Sequence, residues 1–371
     1  MRPACTTSIL EKIKAWYRLV DQKSIGSTLS HRIIERIGDP LAYIGKKSEL
    51  WEKIDFLDIK IKNTLQQDTD PAQWSKIANF IESNPYFQFI TYLDDEYPEH
   101  LKNIYQAPLF LTAIGDTELL KSDSIISIVG TRKPTQYGKY VTEKIVNSLV
   151  MNDFIVCSGL ALGIDAVAHR KTIESNGLTI AVLAGGLDSI YPPQNKELAY
   201  KIKETGLLVS ENMPCVPFEK YHFPQRNRII SGLSKAVCMI EGNVQSGAMI
   251  TAKFALDQNK DIFALPGDIL KAEAQGPNTL ISKGARMILT PEDIVKEYNV
   301  EYEKKIVIKK IDMTEQEQKI YDTIKNNSPD IHIDSLVVET GMSIGELSGI
   351  LFMLELKNAV RATGNNRYAI D

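Results

Sequence analysis

Glycines and cationic residues recur in this chain where short apolar runs give way to helical ones, a pairing that suits the holding of anions. After Ser127-Ile128-Val129 the chain turns through Gly130-Thr131-Arg132-Lys133. Glycine lets the main chain approach a ligand closely, and unpaired amides at a helix start attract negative charge together with Arg and Lys. After Cys157-Ser158 the run is Gly159-Leu160-Ala161-Leu162-Gly163-Ile164-Asp165. Further on, Phe223-Pro224-Gln225-Arg226-Asn227-Arg228 leads into an apolar helix, and Ser246-Gly247-Ala248 opens another. Each alone reads as a tight strand-to-helix turn. Together they predict an anion-binding surface. Phe223 and Tyr221 beside the arginines offer a base a stacking face, or else pack as core aromatics.

The motifs narrow the anion. A dinucleotide site asks for Gly-x-Gly-x-x-Gly after the first strand, and Gly130-Thr131-Arg132-Lys133-Pro134-Thr135 lacks its second and third glycines. No Gly-x4-Gly-Lys-Ser/Thr run for a nucleoside triphosphate occurs. Several separate one-anion loops suit a polyanion, the consecutive phosphates of a nucleic acid. Catalysis has one candidate pair, Asp165 and His169, four residues apart on one helical face. An Asp near a helix start more often caps amides while its His makes a structural contact. The cysteines Cys5, Cys157, Cys215 and Cys238 are scattered without a Cys-x-x-Cys pair, which argues against a zinc site or a disulfide framework. No catalytic residue, cofactor or metal is expected.

These loops need a sheet to hold them. From residue 124 to 300, β-branched runs alternate with amphipathic helices: strands at 124–129, 154–158, 179–183, 207–211, 236–240 and 262–265, helices at 137–150, 163–175 and 248–258. That alternation predicts an α/β fold, a doubly wound and mostly parallel sheet with ligands outside the strands' carboxyl ends. Residues 1–115 read as mostly helical, with Trp16, Leu19 and Val20, then Leu29, Ile33, Ile34 and Ile37, at helical spacing. Asp39-Pro40 and Asp70-Pro71 each predict a helix start, and residues 89–93 a strand. Residues 301–311 read as a solvated linker. Beyond it, a capping box at Thr314–Glu317, helices to 324, at 333–340 and at 343–357, and a hairpin at 360–362 and 367–370 predict a winged helix over 312–371.

An apolar content of 43% with 24% charged residues is ordinary for a globular protein. No apolar run approaches the roughly 18 residues of a membrane span, and the N-terminus does not read as a secretory signal, so a cytoplasmic location is expected. The net charge of −4 is unevenly spread. Residues 312–371 carry five basic and ten acidic side chains, −5, which leaves +1 for residues 1–311.

The ordered series Val129-Gly130-Thr131-Arg132, Ser158-Gly159-Leu160-Ala161-x-Gly163-Ile164-Asp165 with His169, Ala184-Gly185-Gly186-Leu187-Asp188 with Tyr191-Pro192, Phe223-Pro224-x-Arg226-Asn227-Arg228-Ile229-Ile230, Ser246-Gly247-Ala248, Leu265-Pro266-Gly267 and Gly276-Pro277-Asn278-x-Leu280-Ile281 resembles the DNA-processing protein A family, DprA or Smf. The likeness covers residues 97–291, with Tyr97-Pro98 and Leu109-x-Leu111 as its lead-in. It implies a Rossmann-like domain over 116–300 that binds and protects single-stranded DNA during natural transformation and helps load the RecA recombinase. It further implies a homodimer through that domain, an N-terminal helical domain of the sterile-alpha-motif (SAM-like) type, and a C-terminal winged helix. The DNA-binding residues it implies are Gly130, Thr131, Arg132, Lys133, Gly159, Phe223, Arg226, Asn227, Arg228, Ser246 and Gly247, with Arg132 and Arg228 as the strongest phosphate contacts.

Two departures stand out. Lys23-Ser24-Ile25-Gly26-Ser27 lacks the two close glycines of a DNA-binding helix-hairpin-helix, and the helix at 343–357 carries Glu346 and Glu355 against Lys357, which would repel phosphates. An enzymatic alternative, the nucleotide phosphoribohydrolases, resembles this chain through Gly185-Gly186, but their Pro-Gly-Gly-x-Gly-Thr run and following glutamate are missing from Ala184-Gly185-Gly186-Leu187-Asp188. A scaffold for recombination proteins, needing no DNA affinity of its own, is the third reading.

Overall fold

The computed structural model describes residues 3–20, 26–42, 54–66, 71–217, 219–298, 313–327, 330–357, 359–364 and 366–370. The expected linker at 301–311 and most of the Lys23–Ser27 segment lie outside them. The chain divides into two compact units, Met1–Val300 and Glu301–Asp371.

The first unit begins with helices α1 (Pro3–Tyr17), α2 (Ser27–Ile37), α3 (Ile59–Gln66) and α4 (Pro71–Ser83). Trp16, Leu19, Ile33 and Ile34 are buried as their spacing predicts, whereas Val20 is exposed. Among the described residues Asp39-Pro40 starts a 3-10 turn, Pro40–Ala42, and residues 43–53 lie outside them. The Asp39 carboxylate accepts from Leu41 N at 2.9 Å and from Trp16 Nε1 at 3.1 Å. Pro71 opens α4 as expected.

There follow β1 (Phe87–Thr91), α5 (Glu99–Lys102), β2 (Phe110–Gly115), β3 (Ile125–Val129), α6 (Gln136–Met151), β4 (Ile155–Ser158), α7 (Ile164–Glu174), β5 (Thr179–Leu183), α8 (Lys196–Thr205), β6 (Leu207–Ser210), α9 (His222–Leu233), β7 (Ala236–Met239), α10 (Gly247–Asp257), β8 (Asp261–Ala264), α11 (Ala272–Ser282), β9 (Arg286–Met287) and α12 (Asp293–Tyr298). Their sheet has the order β1-β2-β6-β5-β4-β3-β7-β8-β9. It is parallel from β6 to β9 and antiparallel where β1 meets β2 and β2 meets β6. The fold is Rossmann-like and doubly wound. The sheet starts at Phe87, upstream of residue 116 where the sequence placed its beginning, because β2 pairs with a strand nearly a hundred residues away (Thr112 opposite Ser210).

Alternation along the strands separates two cores. In β5, Ala181 and Leu183 join the N-terminal helices with Ala166 of α7 and Leu198 of α8. Ile180 and Val182 face the other way, among Ile229 and Leu233 of α9 and Ala252 and Ala255 of α10. Helix α6 packs beside α7, so α6 and α10 leave neighbouring strands toward opposite faces. Chain order therefore reverses between β3 and β7, and a crevice must open beyond their carboxyl ends.

The second unit comprises α13 (Glu315–Asn326), β10 (Ile331–His332), α14 (Ile333–Thr340), α15 (Ile344–Leu356), β11 (Val360–Gly364) and β12 (Arg367–Ile370), with strand order β10-β12-β11. Capping boxes start α13 at Thr314 and α15 at Ser343. This is the expected winged helix, with β10 added to the hairpin. Among the described residues no single helix is long and apolar enough to cross a membrane.

Candidate nucleic-acid interface

A cleft of about 490 Å³ lies at the reversal point. Its walls bring together Gly130, Thr131, Arg132 and Lys133 after β3, Ala161 and Asp165 around the start of α7, Phe223, Arg226 and Asn227 of α9, and Ser246 and Gly247 at the start of α10. Gly159 lines a smaller recess next to it, shared with Arg132, Phe223 and Arg226.

Arg228 is the exception. Its Nη2 donates to Glu211 Oε1 at 2.5 Å, its side chain is 8% exposed, and it does not line the cleft. It is a buried ion-pair partner set outside the cleft in which the sequence suggested a phosphate contact. The expected aromatic pair also comes apart. The Tyr221 ring sits 4.2 Å from the ring of its neighbour His222, while Phe223 pairs edge-to-face with Tyr191 at 5.5 Å.

The first loop is pinned from both sides. Thr131 N donates to Glu241 O at 2.7 Å, and Ile164 N donates to Thr131 O at 3.2 Å. The buried Glu241 carboxylate accepts from Thr135 N at 2.9 Å and Thr135 Oγ1 at 2.5 Å, and Thr135 in turn caps α6. Gly163 has φ of +82°, and a Cβ there would overlap Thr131 O and lie 2.7 Å from Arg132 Cα. Only glycine allows the second loop to support the first this closely. Asp165 Oδ2 accepts from Gly159 N at 3.1 Å and Ala161 N at 3.3 Å, which holds the second loop in its turn.

Arg226 forms the floor. Its Nη1 donates to Gly159 O at 2.6 Å and to Val182 O, and its Nε donates to Asn227 Oδ1 at 3.2 Å. Burial lowers its pKa to about 10, with nearby Arg132 adding to the shift and Asp165 opposing it, so it stays cationic at neutral pH. Burial raises the pKa of Asp165, and Arg226 opposes that rise. Burial, followed by Arg226, lowers His169 to about 3. His169 Nδ1 lies 2.7 Å from Thr179 Oγ1, so Asp165 and His169 engage different groups. Arg132 and Lys133, by contrast, are exposed. At the start of α10 the Ser246 side chain does not cap the helix, and its Oγ is buried without a hydrogen-bond partner. The cleft thus offers two exposed cations and an uncapped helix start above an internally committed arginine.

Sequence reasoning assigned no role to Glu241, and it quoted Tyr191 only within the Tyr191-Pro192 motif of the resemblance, not as a neighbour of Phe223.

Residues 88–299 match the family model described as DNA recombination-mediator protein A, and residues 310–366 match the DprA winged helix domain. The chain belongs to the DprA family. The match begins within β1, in keeping with a sheet that starts upstream of residue 116. The DNA processing protein DprA of Bacillus subtilis is 44% identical over 210 residues, 56% of this chain and 71% of that protein. Protein Smf of Synechocystis is 37% identical over 322 residues, 77% of this chain and 80% of its own length. Among solved structures, DprA from Streptococcus pneumoniae superposes with a TM-score of 0.64 at 30% identity, covering 81% of this chain and 99% of that one. DprA from Helicobacter pylori, described for its single-stranded DNA binding mode, has a TM-score of 0.53 at 31% identity over 58% of this chain and all of that one (100%).

Proposed function

We propose that this DprA-family chain binds the backbone of single-stranded DNA in the cleft beyond β3 and β7, protects that DNA, and helps load the RecA recombinase during natural transformation without catalysing a reaction itself. The carrying observation is the pair Arg132 and Lys133, exposed on a loop that Glu241 and Gly163 hold rigid. Fixed cations beside a bare helix start suit phosphates in series, and the nearby aromatic pair Phe223–Tyr191 suits unpaired bases. The Helicobacter pylori relative, with its single-stranded DNA binding mode, supports the same reading. Arg132, Lys133, Asn227, Ser246 and Gly247 are the proposed contacts, with Arg226 and Gly159 shaping the floor. Asp165 and His169 are given structural roles, in keeping with their separate partners.

A cytoplasmic location is part of this proposal, since a chain that acts on DNA works where the DNA is. A homodimer through the Rossmann-like domain is proposed at the β9 end of the sheet, where Ile269, Leu270, Met287 and Leu289 are exposed beside a short edge strand.

Fluorescence anisotropy with labelled oligo-dT and with a duplex of equal length tests the DNA reading. Preferential binding of oligo-dT that weakens steeply with salt is expected. Equal affinity for the duplex, or no binding, overturns it. The recombinase arm is tested by whether the protein shortens the lag of RecA filament assembly on the same strand.

A further inference from the structure

We propose that the apolar outer face of α15 is covered by the chain's own basic segment, residues 304–311, docked along the helix. Eight of the thirteen residues of α15 are large and apolar. Leu347, Leu351 and Leu354 enter the core of the second unit. Ile344, Phe352, Met353 and Leu356 stay between 46% and 62% exposed. A helix that is apolar on every side is ordinarily buried on every side, so this face calls for a cover. Between those side chains the surface is low, because a Cβ added at Gly345 or Gly349 would meet nothing within 4 Å. Main chain can therefore lie close against the helix. Glu346 and Glu355 are about two and a half turns apart, which puts them on opposite sides of the axis, one at each edge of the apolar stripe.

Position, length and charge choose the occupant. Thr314 N donates to Glu317 Oε2 at 2.6 Å, and Lys357 Nζ donates to the same oxygen at 2.8 Å. These bonds pin the start of α13 beside the end of α15, so the chain preceding Met313 approaches at the Leu356 end of the helix. Extended, residues 304–311 reach about 27 Å, against about 20 Å for the length of α15. Their sequence is Lys-Lys-Ile-Val-Ile-Lys-Lys-Ile, four lysines around a β-branched core with no acid among them. Residues 312–371, with five basic and ten acidic side chains, carry −5. Lysine pairs on both sides of an apolar core match an apolar stripe edged by carboxylates. A second copy of the acidic domain would instead bring like charge to this face. The docked segment occupies the helix that helix-turn-helix domains ordinarily lay in a DNA groove.

Trypsin digestion of the full chain tests this, because Lys304, Lys305, Lys309 and Lys310 are cleavage sites that docking shields. Cutting there releases the winged helix, and gel electrophoresis reads the initial rate. Phe352→Asp should speed that cleavage about tenfold, the effect on the docked population of losing one buried apolar side chain. Ile306→Ser combined with Ile308→Ser should speed it as much from the side of the segment. A photocrosslinking amino acid, p-benzoylphenylalanine, placed at position 352 supplies a second readout. Irradiated in dilute solution, it should label residues 304–311 of its own chain. Unchanged cleavage in both variants overturns the proposal. So does faster cleavage in Phe352→Asp alone, which would mean a loosened domain. Crosslinks that join two chains, or that leave residues 304–311 unlabelled, overturn it as well.

Discussion

Arg226 donates to the carbonyl oxygen of Gly159 at 2.6 Å, and a Cβ on that glycine would meet the guanidinium at 2.7 Å. The arginine that the sequence offers as a ligand for DNA is thus spent on the backbone ends of β4 and β5. Its charge still contributes to the cleft's field, but its hydrogen bonds belong to the fold.

Replacement of Arg226 should therefore act on stability first. Arg226→Ala leaves the Gly159 and Val182 carbonyls without this donor and Asp165 without its cationic neighbour. A loss of about 3 kcal/mol is expected from breaking a buried, charged network. Urea denaturation measures it. A variant as stable as wild type would show that the internal bonds carry nothing.

Arg132→Ala and Lys133→Ala should do the reverse. Both side chains are exposed, so stability should change by less than about 0.5 kcal/mol. Each lost phosphate contact should lower the log–log salt slope for a single strand by about 0.7. Arg228→Ala, which removes the partner of Glu211, should destabilise the fold and leave the slope of the folded fraction as it was. A slope that falls for Arg228→Ala and holds for Arg132→Ala would invert the assignment.

The different fates of Arg226 and Arg228 show where sequence legibility stops. Two residues apart on α9, they project roughly 200° from each other about the helix axis. One reaches under Gly159 and the other toward Glu211. Composition marks both as cations near a helix start, and only the packing of α9 separates them. Tyr221 and Phe223 have the same spacing and part in the same way, and the partner of Phe223 comes from Tyr191. The strands β3 to β8 were legible because each is a short apolar run between turn signals. Strand β2 was not, since Pro108 reads as punctuation and its pairing with β6 is wholly non-local. Helix α11 was hidden by Pro277 within it.

Gly163→Ala should damage the site through the backbone. A methyl group at φ of +82° is strained and overlaps Thr131 O, so the Arg132 loop must shift. Oligo-dT affinity should fall by tenfold or more, following the sensitivity of sites to small displacements. Gly284→Ala is the control, because its φ of +98° is equally unfavourable but nothing lies within 4 Å of the added Cβ. It should lose stability and keep DNA affinity. Equal affinity losses in both would mean that the effect is global.

His169 predicts a pH dependence. Burial holds its folded pKa at about 3, below its ordinary value of 6.5. Its contribution is fully present above pH 6.5, and it is lost progressively as pH falls from 6.5 toward 3, where the unfolded chain binds the proton that the folded one refuses. The slope is about 1.4 kcal/mol per pH unit for one proton. The raised pKa of Asp165 acts in the opposite sense, in the window above 3.8. Comparison with His169→Gln isolates the histidine: the variant's urea stability should be flatter by one proton's slope between pH 6 and pH 4. Parallel curves would remove His169 as the cause.

Deletion of residues 312–371 should leave oligo-dT affinity within about twofold of the full chain. The winged helix is acidic, and two of its five basic side chains are paired with carboxylates inside it. Lys357 Nζ lies 2.8 Å from Glu317 Oε2, and Arg367 Nη1 lies 2.5 Å from Asp330 Oδ1. The Lys357 hydrogen bond is the leading cause holding Glu317 below the usual carboxylate range, so the Glu317 carboxylate stays charged at neutral pH. Helix α15 presents Glu346 with exposed Phe352, Met353 and Leu356, a surface suited to protein contact and poorly suited to a phosphate backbone. Anisotropy titration of both chains at two salt concentrations decides the matter. A large loss on deletion, with a smaller salt slope, would show that this domain contacts DNA despite its charge.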